Sequence, residues 1–198
     1  MIKKDKKTII FSGFFVLFLI MLDQLTKYLA VVFLKGNPPI PIIKNVFELQ
    51  YLENSSAAFG IDPISLLQNI FHFEIFEKNP VLYLNIRMLF FYIITILMVL
   101  VFVWIFLKIP KNKRMIYLDC VLIFITAGAI GNLIDRIMQQ YVVDFLYLKF
   151  IDFPIFNVAD IYVSCSAVVL LVLGIIYYKD EDIELIFPSK REKKDNQN

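Results

Sequence analysis

Asp135, Asp144 and Asp160 fall within one stretch, GAIGNLIDRIMQQYVVDFLYLKFIDFPIFNVAD, with apolar sequence on either side. Charged groups at the edge of a membrane span are costly and persist mainly when they pair or do chemistry. Two carboxylates brought close together cannot both ionise comfortably, so one keeps a proton near neutral pH. The ionised partner can then take a proton from water, while the protonated one polarises a carbonyl and later protonates the leaving nitrogen. That is aspartyl-protease chemistry, and it needs neither a metal nor a covalent intermediate. Asp144 and Asp160 are the strongest candidates for such a pair. Spacing alone leaves open whether Asp144 meets Asp160 or Asp135.

Other polar residues share faces with these. Asp23 and Lys27 stand four positions apart in an apolar helix, within ion-pair reach. They read either as a structural pair or as one wall of a polar cavity. Asn132, Asp135 and Arg136 lie at i, i+3 and i+4 on one helical face, where Asp135 and Arg136 could neutralise each other or reach to other helices. Ala127, Gly128 and Gly131 just upstream are small enough to let another helix approach closely. A structural role suits this trio better than a catalytic one. Asn157, Asp160 and Ser164 again share a face, with Asn157 placed to cap a helix. A cap explains Asn157 and leaves Asp160, a turn further in, unexplained. Asp144 sits in YVVDFLYL, whose aromatic and β-branched residues favour a strand or extended turn.

These residues must be held by a membrane bundle. Of 198 residues 59% are hydrophobic, and charge is confined largely to tails and loops. Four runs approach or exceed the roughly 20 apolar residues that cross a bilayer: Thr8–Leu34, Met88–Leu107, Met115–Met138 and Phe156–Tyr178. Pro110 marks the stop between the second and third. The first run is too long for a signal-peptide core, contains Asp23 and Lys27, and precedes no small-residue cleavage site, so it reads as a retained helix. The net charge of +2 and the lack of a basic patch interleaved with aromatics give no reason to invoke nucleic acid. Cys120 and Cys165 lie in apolar runs, which argues against a disulfide, and His72 stands without a Cys/His cluster, so no metal or other cofactor is expected.

Lys and Arg concentrate in the N-terminal tail, the second-to-third connection and the C-terminal tail, which places both termini in the cytoplasm. Residues 35–87 and 138–156 then face outward, and the three aspartates lie near one depth at the outer surface. In the outer segment, NPPIPIIKN cannot be a regular helix, while VFELQYLEN alternates like a short strand. An amphipathic interfacial segment is expected around Ile64–Phe76.

Four blocks, DQLTKYLA, NSSAAFG, GAIGNLIDR with VVDF, and FPIFNVAD, together resemble the signal peptidase II family, the lipoprotein signal peptidases, over residues 23–160. The resemblance implies an all-α membrane protein: four transmembrane helices and a small extracytoplasmic β-sheet on the membrane surface, built here from NVFELQYLEN. Residues 1–180 would form one peptidase domain and 181–198 a charged cytoplasmic tail. It implies an aspartyl endopeptidase of the bacterial cell membrane, with membrane lipids around it. Its substrate would be a prolipoprotein with a diacylglyceryl cysteine, cut just before that cysteine. Carried over, the catalytic dyad is Asp144 and Asp160, and Asp135 joins Asn132 and Arg136 in support. Asp23, Lys27, Asn54 and Asn157 match other site-shaping positions.

Two departures stand out. Ser56 replaces a usual glycine, which would strain a turn using positive φ, and residues 62–86 look like an insertion over the mouth of the site. The competing readings are a proton- or cation-coupled transporter, which lacks an evident inverted repeat here, and a membrane scaffold glued by polar groups, which leaves Asp144 unexplained.

Overall fold

The computed structural model describes residues 4–56 and 63–186. Among them are four helices long and apolar enough to cross a membrane, Lys6–Leu34, Pro80–Lys108, Lys113–Gln139 and Val158–Tyr177. A three-stranded antiparallel sheet sits at one end of the bundle, in the order β1–β2–β3.

The first helix, α1 (Lys6–Leu34), starts where the Asp5 side chain accepts from the Thr8 N–H at 2.7 Å. Its chain then turns at Gly36, φ 77°, into β1 (Ile40–Ile43), which pairs with β2 (Phe47–Asn54). The proline-rich segment that could not be helical is thus an edge strand, where the missing N–H of Pro41 is tolerated. Two short helices follow, α2 (Pro63–Phe71) and α3 (Glu74–Lys78), the first overlapping the expected amphipathic segment.

The second span, α4 (Pro80–Lys108), begins at Pro80 rather than near Met88. Asn85 and Arg87 interrupt the apolar run without interrupting the helix, and Pro80 supplies a favourable first residue. The third, α5 (Ile116–Gln139), is entered through a 3-10 turn at Lys113–Met115. It ends at Gln140, whose left-handed φ of 65° redirects the chain into β3 (Val142–Leu148). Helix α6 (Val158–Val172) starts just after Asn157 and closes in a π-type turn at Leu173–Tyr177.

Helix α5 is the centre of the bundle and packs against α1, α4 and α6. The close approach has a cause in the small residues. A Cβ on Gly128 would fall 2.5 Å from the Ala159 carbonyl oxygen, and one on Gly131 would fall 2.5 Å from Asp23 Oδ2. Three apolar clusters line the bundle: Ala30, Leu34, Val143 and Phe145 under the sheet; Leu19, Ile20 and Ala127 midway; Ile109, Met115, Leu118 and Leu122 at the far end. Residues 181–186, read from sequence as part of a charged tail, belong to α7 (Asp180–Ile186). That helix buries Ile186 in the far cluster and pairs Asp182 with Arg114 at 2.8 Å. Cys120 and Cys165 are free thiols.

Candidate active site

The VVDF and NVAD blocks are brought together by backbone pairing. Phe156 bridges to Leu146: Phe145 and Leu146 N–H donate to the Phe156 carbonyl at 3.0 and 2.8 Å, and Phe156 N–H returns a bond to Leu146 at 3.0 Å. This sets Asn157, the next residue, beside β3. Its side-chain amide donates to Asp144 Oδ1 at 2.6 Å, and its main-chain N–H donates to Asp160 Oδ2 at 3.1 Å. The second bond is half of a capping box, completed by the Asp160 N–H donating to Asn157 Oδ1 at 2.9 Å. Asp160 therefore has a capping role that the sequence reading did not give it.

The remaining carboxylate oxygens are also occupied. Asn54 Nδ2 donates to Asp144 Oδ2 at 2.7 Å, and Asn132 Nδ2 donates to Asp160 Oδ1 at 2.8 Å. Asp144 is buried, with 1% of its surface exposed, while Asp160 is only partly covered. Burial pushes the Asp144 carboxyl up to about 7, and the negative charge of Asp160 acts in the same direction. Hydrogen bonds from Asn54 and Asn157 and the charge of Lys27 oppose the shift.

Asp135 is held elsewhere. It pairs with Lys27 at 3.1 Å, accepts from Gln24 at 2.9 Å, and takes the Val143 N–H at 3.1 Å, which docks β3 onto α5. It does not neutralise its neighbour Arg136, whose guanidinium reaches across to the Ser56 carbonyl at 2.9 Å and lies 5.0 Å from the Phe91 ring centroid. Asp23 and Lys27 form the expected ion pair at 2.9 Å. Asp23 also accepts the Ala159 N–H at 2.9 Å, so α1 holds the first turn of α6. Lys27 further donates to Asn132 Oδ1 at 2.9 Å.

The pattern of the family described as Signal peptidase (SPase) II matches residues 15–176. The chain belongs to the signal peptidase II family. It is thereby an aspartic endopeptidase and a multi-pass membrane protein. Similar proteins include the lipoprotein signal peptidase of Caldanaerobacter subterraneus, 40% identical over 156 residues covering 78% of this chain and 89% of that one. That of Streptococcus thermophilus is 36% identical over 167 residues, covering 84% and 92%. A bacterial membrane enzyme solved at 1.9 Å superposes with a TM-score of 0.65 at 26% identity, covering 90% of this chain and 99% of that one.

In this member of the signal peptidase II family, one residue that the sequence does not single out joins the candidate site. Gln24 bridges Asp23 (3.2 Å), the Gly131 carbonyl (3.2 Å) and Asp135. Ser56 donates its N–H to Asn54 Oδ1 at 2.8 Å, and its hydroxyl accepts from Arg87 at 3.2 Å. The expected strain at Ser56 is not found: among the described residues the non-glycines with positive φ are Asn45, His72, Gln140 and Asp152. Of the NSSAAFG block, residues 57–60 lie outside the described residues.

Proposed function

We propose that Asp144 and Asp160 are the catalytic dyad and that the substrate is a prolipoprotein bearing a diacylglyceryl cysteine, cut just before that cysteine. The observation that carries this reading is Asn157, which bonds one carboxylate through its side chain and the other through its main chain. A buried carboxyl raised to about 7 beside a second carboxylate lets the two share one proton near neutral pH.

Water held between the carboxylates adds to the scissile carbonyl and gives its proton to the ionised member. The protonated member donates to the carbonyl oxygen as charge develops there. When the tetrahedral intermediate collapses, the C–N bond breaks, one of its hydroxyls returns a proton to the ionised carboxylate, and the leaving nitrogen takes the proton of the other carboxyl. Asn54, Asn132, Asp135, Arg136, Asn157, Asp23 and Lys27 hold the pair in place. The concentration of Lys and Arg in both tails and the second-to-third connection supports a reading with the termini in the cytoplasm and this site at the outer membrane surface, where lipidated substrate arrives laterally from the bilayer.

The test is to incubate the purified chain with a diacylglyceryl-modified prolipoprotein and follow release of the signal peptide by mass. Asp144→Asn and Asp160→Asn should each slow cleavage by roughly 10²–10⁴-fold. Undiminished cleavage by either variant would overturn the dyad.

A further inference from the structure

The asparagines around the dyad are oriented by the groups that meet their side-chain oxygens. Lys27 Nζ lies 2.9 Å from the side-chain amide of Asn132. An ammonium has donors and no acceptor, so the end of the amide that meets it must be the carbonyl oxygen. The amino end is thereby turned to Asp160 Oδ1 at 2.8 Å. Asn157 is fixed in the same manner by the main-chain N–H of Asp160, and Asn54 by the main-chain N–H of Ser56. Both of their amino groups then face Asp144. The dyad is consequently ringed by donors. Asn157 and Asn54 are locked by main-chain groups, whereas the Asn132 oxygen is locked by the Lys27 ammonium at 2.9 Å, with the Asn157 amide behind it at 3.2 Å.

We infer that Lys27 is a positioning residue for peptide hydrolysis, acting through Asn132 to hold an N–H donor on Asp160. The inference rests on Asp144 and Asp160 being the dyad. Charge balance with Asp23 (2.9 Å) and Asp135 (3.1 Å) would by itself account for a lysine at this position. It does not account for the Asn132 contact, which adds a third partner on the side facing the dyad. Without Lys27 the Asn132 oxygen keeps the longer bond from the Asn157 amide, at 3.2 Å, and is held less firmly against a half turn that would set it against Asp160.

A double-mutant cycle separates this role from a merely structural one. Lys27→Met, Asn132→Ala and the double variant are compared in the full-length chain, in lipid bilayer discs, with kcat and KM for a diacylglyceryl prolipoprotein and the thermal midpoint of each. Lys27→Met should lower kcat by roughly 10²-fold with KM little moved, but by about 3-fold or less where Asn132 is already Ala. An equal loss on both backgrounds would show that Lys27 does not act through Asn132. Asn132→Asp keeps the oxygen that accepts from Lys27 and replaces the donor facing Asp160, so it tests the same point in a chain whose ion pairs are intact, even where Lys27→Met does not fold. It should fold and lose kcat to a similar extent, and a near-native kcat would overturn the inference. Asp144→Asn and Asp160→Asn run in the same assay keep the two readings apart: active dyad variants sink the dyad, whereas inactive dyad variants with an additive cycle sink only the role of Lys27.

Discussion

The side-chain amide of Asn157 donates to Asp144 across 2.6 Å while the same side chain's oxygen caps α6 by accepting the Asp160 N–H at 2.9 Å. One residue thus does two separable jobs. Asn157→Ser should keep the cap, because a hydroxyl oxygen can still accept at the start of the helix, and lose the reach to Asp144. Asn157→Ala loses both. Cleavage should fall by a similar large factor in the two variants, whereas the thermal midpoint should fall further in the alanine variant, by an amount reflecting a cap of about 1 kcal/mol. Equal midpoints, measured by unfolding in detergent, would show that the cap contributes nothing to stability.

The raised carboxyl of Asp144 predicts two pH effects. Folding holds its proton more tightly than the unfolded chain does, since burial lifts it from 3.8 to about 7. The stability associated with this group is therefore full below the unfolded value and is lost as pH rises towards about 7. Asp144→Asn removes the titration, so its stability relative to wild type should improve steadily across that window and level off above it. Cleavage by wild type should decline on the alkaline side, as the shared proton leaves the pair. A stability difference that stays flat from acid to alkaline pH would show that Asp144 does not titrate differently in the folded chain.

The membrane helices were legible because apolar runs of span length report burial in lipid by composition alone. The start of α4 was not, since Asn85 and Arg87 broke the apolar run while their helical backbone continued to Pro80. Within the site, spacing found Asp23 with Lys27 because both lie on one helix. It could not choose between Asp135 and Asp160 as the partner of Asp144. In the fold, Asn157, set beside β3 by the Phe156–Leu146 pairing, bonds both Asp144 and Asp160, while Asp135 is paired with Lys27; these are contacts between distant segments that no local period encodes. Gln24 is illegible in the sequence for a similar reason: an uncharged residue between two charged ones on α1 gains its meaning only against Gly131 and Asp135 of α5.

Ser56 offers a test of what the family glycine is for. Its N–H holds the Asn54 oxygen at 2.8 Å, which turns the Asn54 amino group to Asp144, and its φ is not in the left-handed region. Ser56→Gly and Ser56→Ala should therefore cleave at close to the wild-type rate, since the hydroxyl bonds Arg87 at 3.2 Å and not the dyad. Ser56→Pro removes the N–H and should lower kcat well below that of wild type. Side-by-side cleavage rates for the three variants decide it, and a proline variant as active as the alanine one would remove this main-chain lock from the account.

Gly131 and Gly13 make a matched pair for testing how α1 is seated. A Cβ at Gly131 would meet Asp23 Oδ2 at 2.5 Å and Asp23 Cγ at 3.2 Å, whereas one at Gly13 meets nothing within 4 Å. Asp23 cannot retreat without giving up either Lys27 or the Ala159 N–H, each at 2.9 Å, and the second of these steadies the turn that carries Asp160. Gly131→Ala should destabilise the chain by about 1–3 kcal/mol, as overpacking does, and slow cleavage as well. Gly13→Ala should leave cleavage unchanged and unfold no more easily than wild type, because alanine favours helix over glycine. Thermal midpoints and cleavage rates for the two variants, taken under one condition, separate the outcomes. If they behave alike, the notch at Gly131 is not what seats Asp23 against α6.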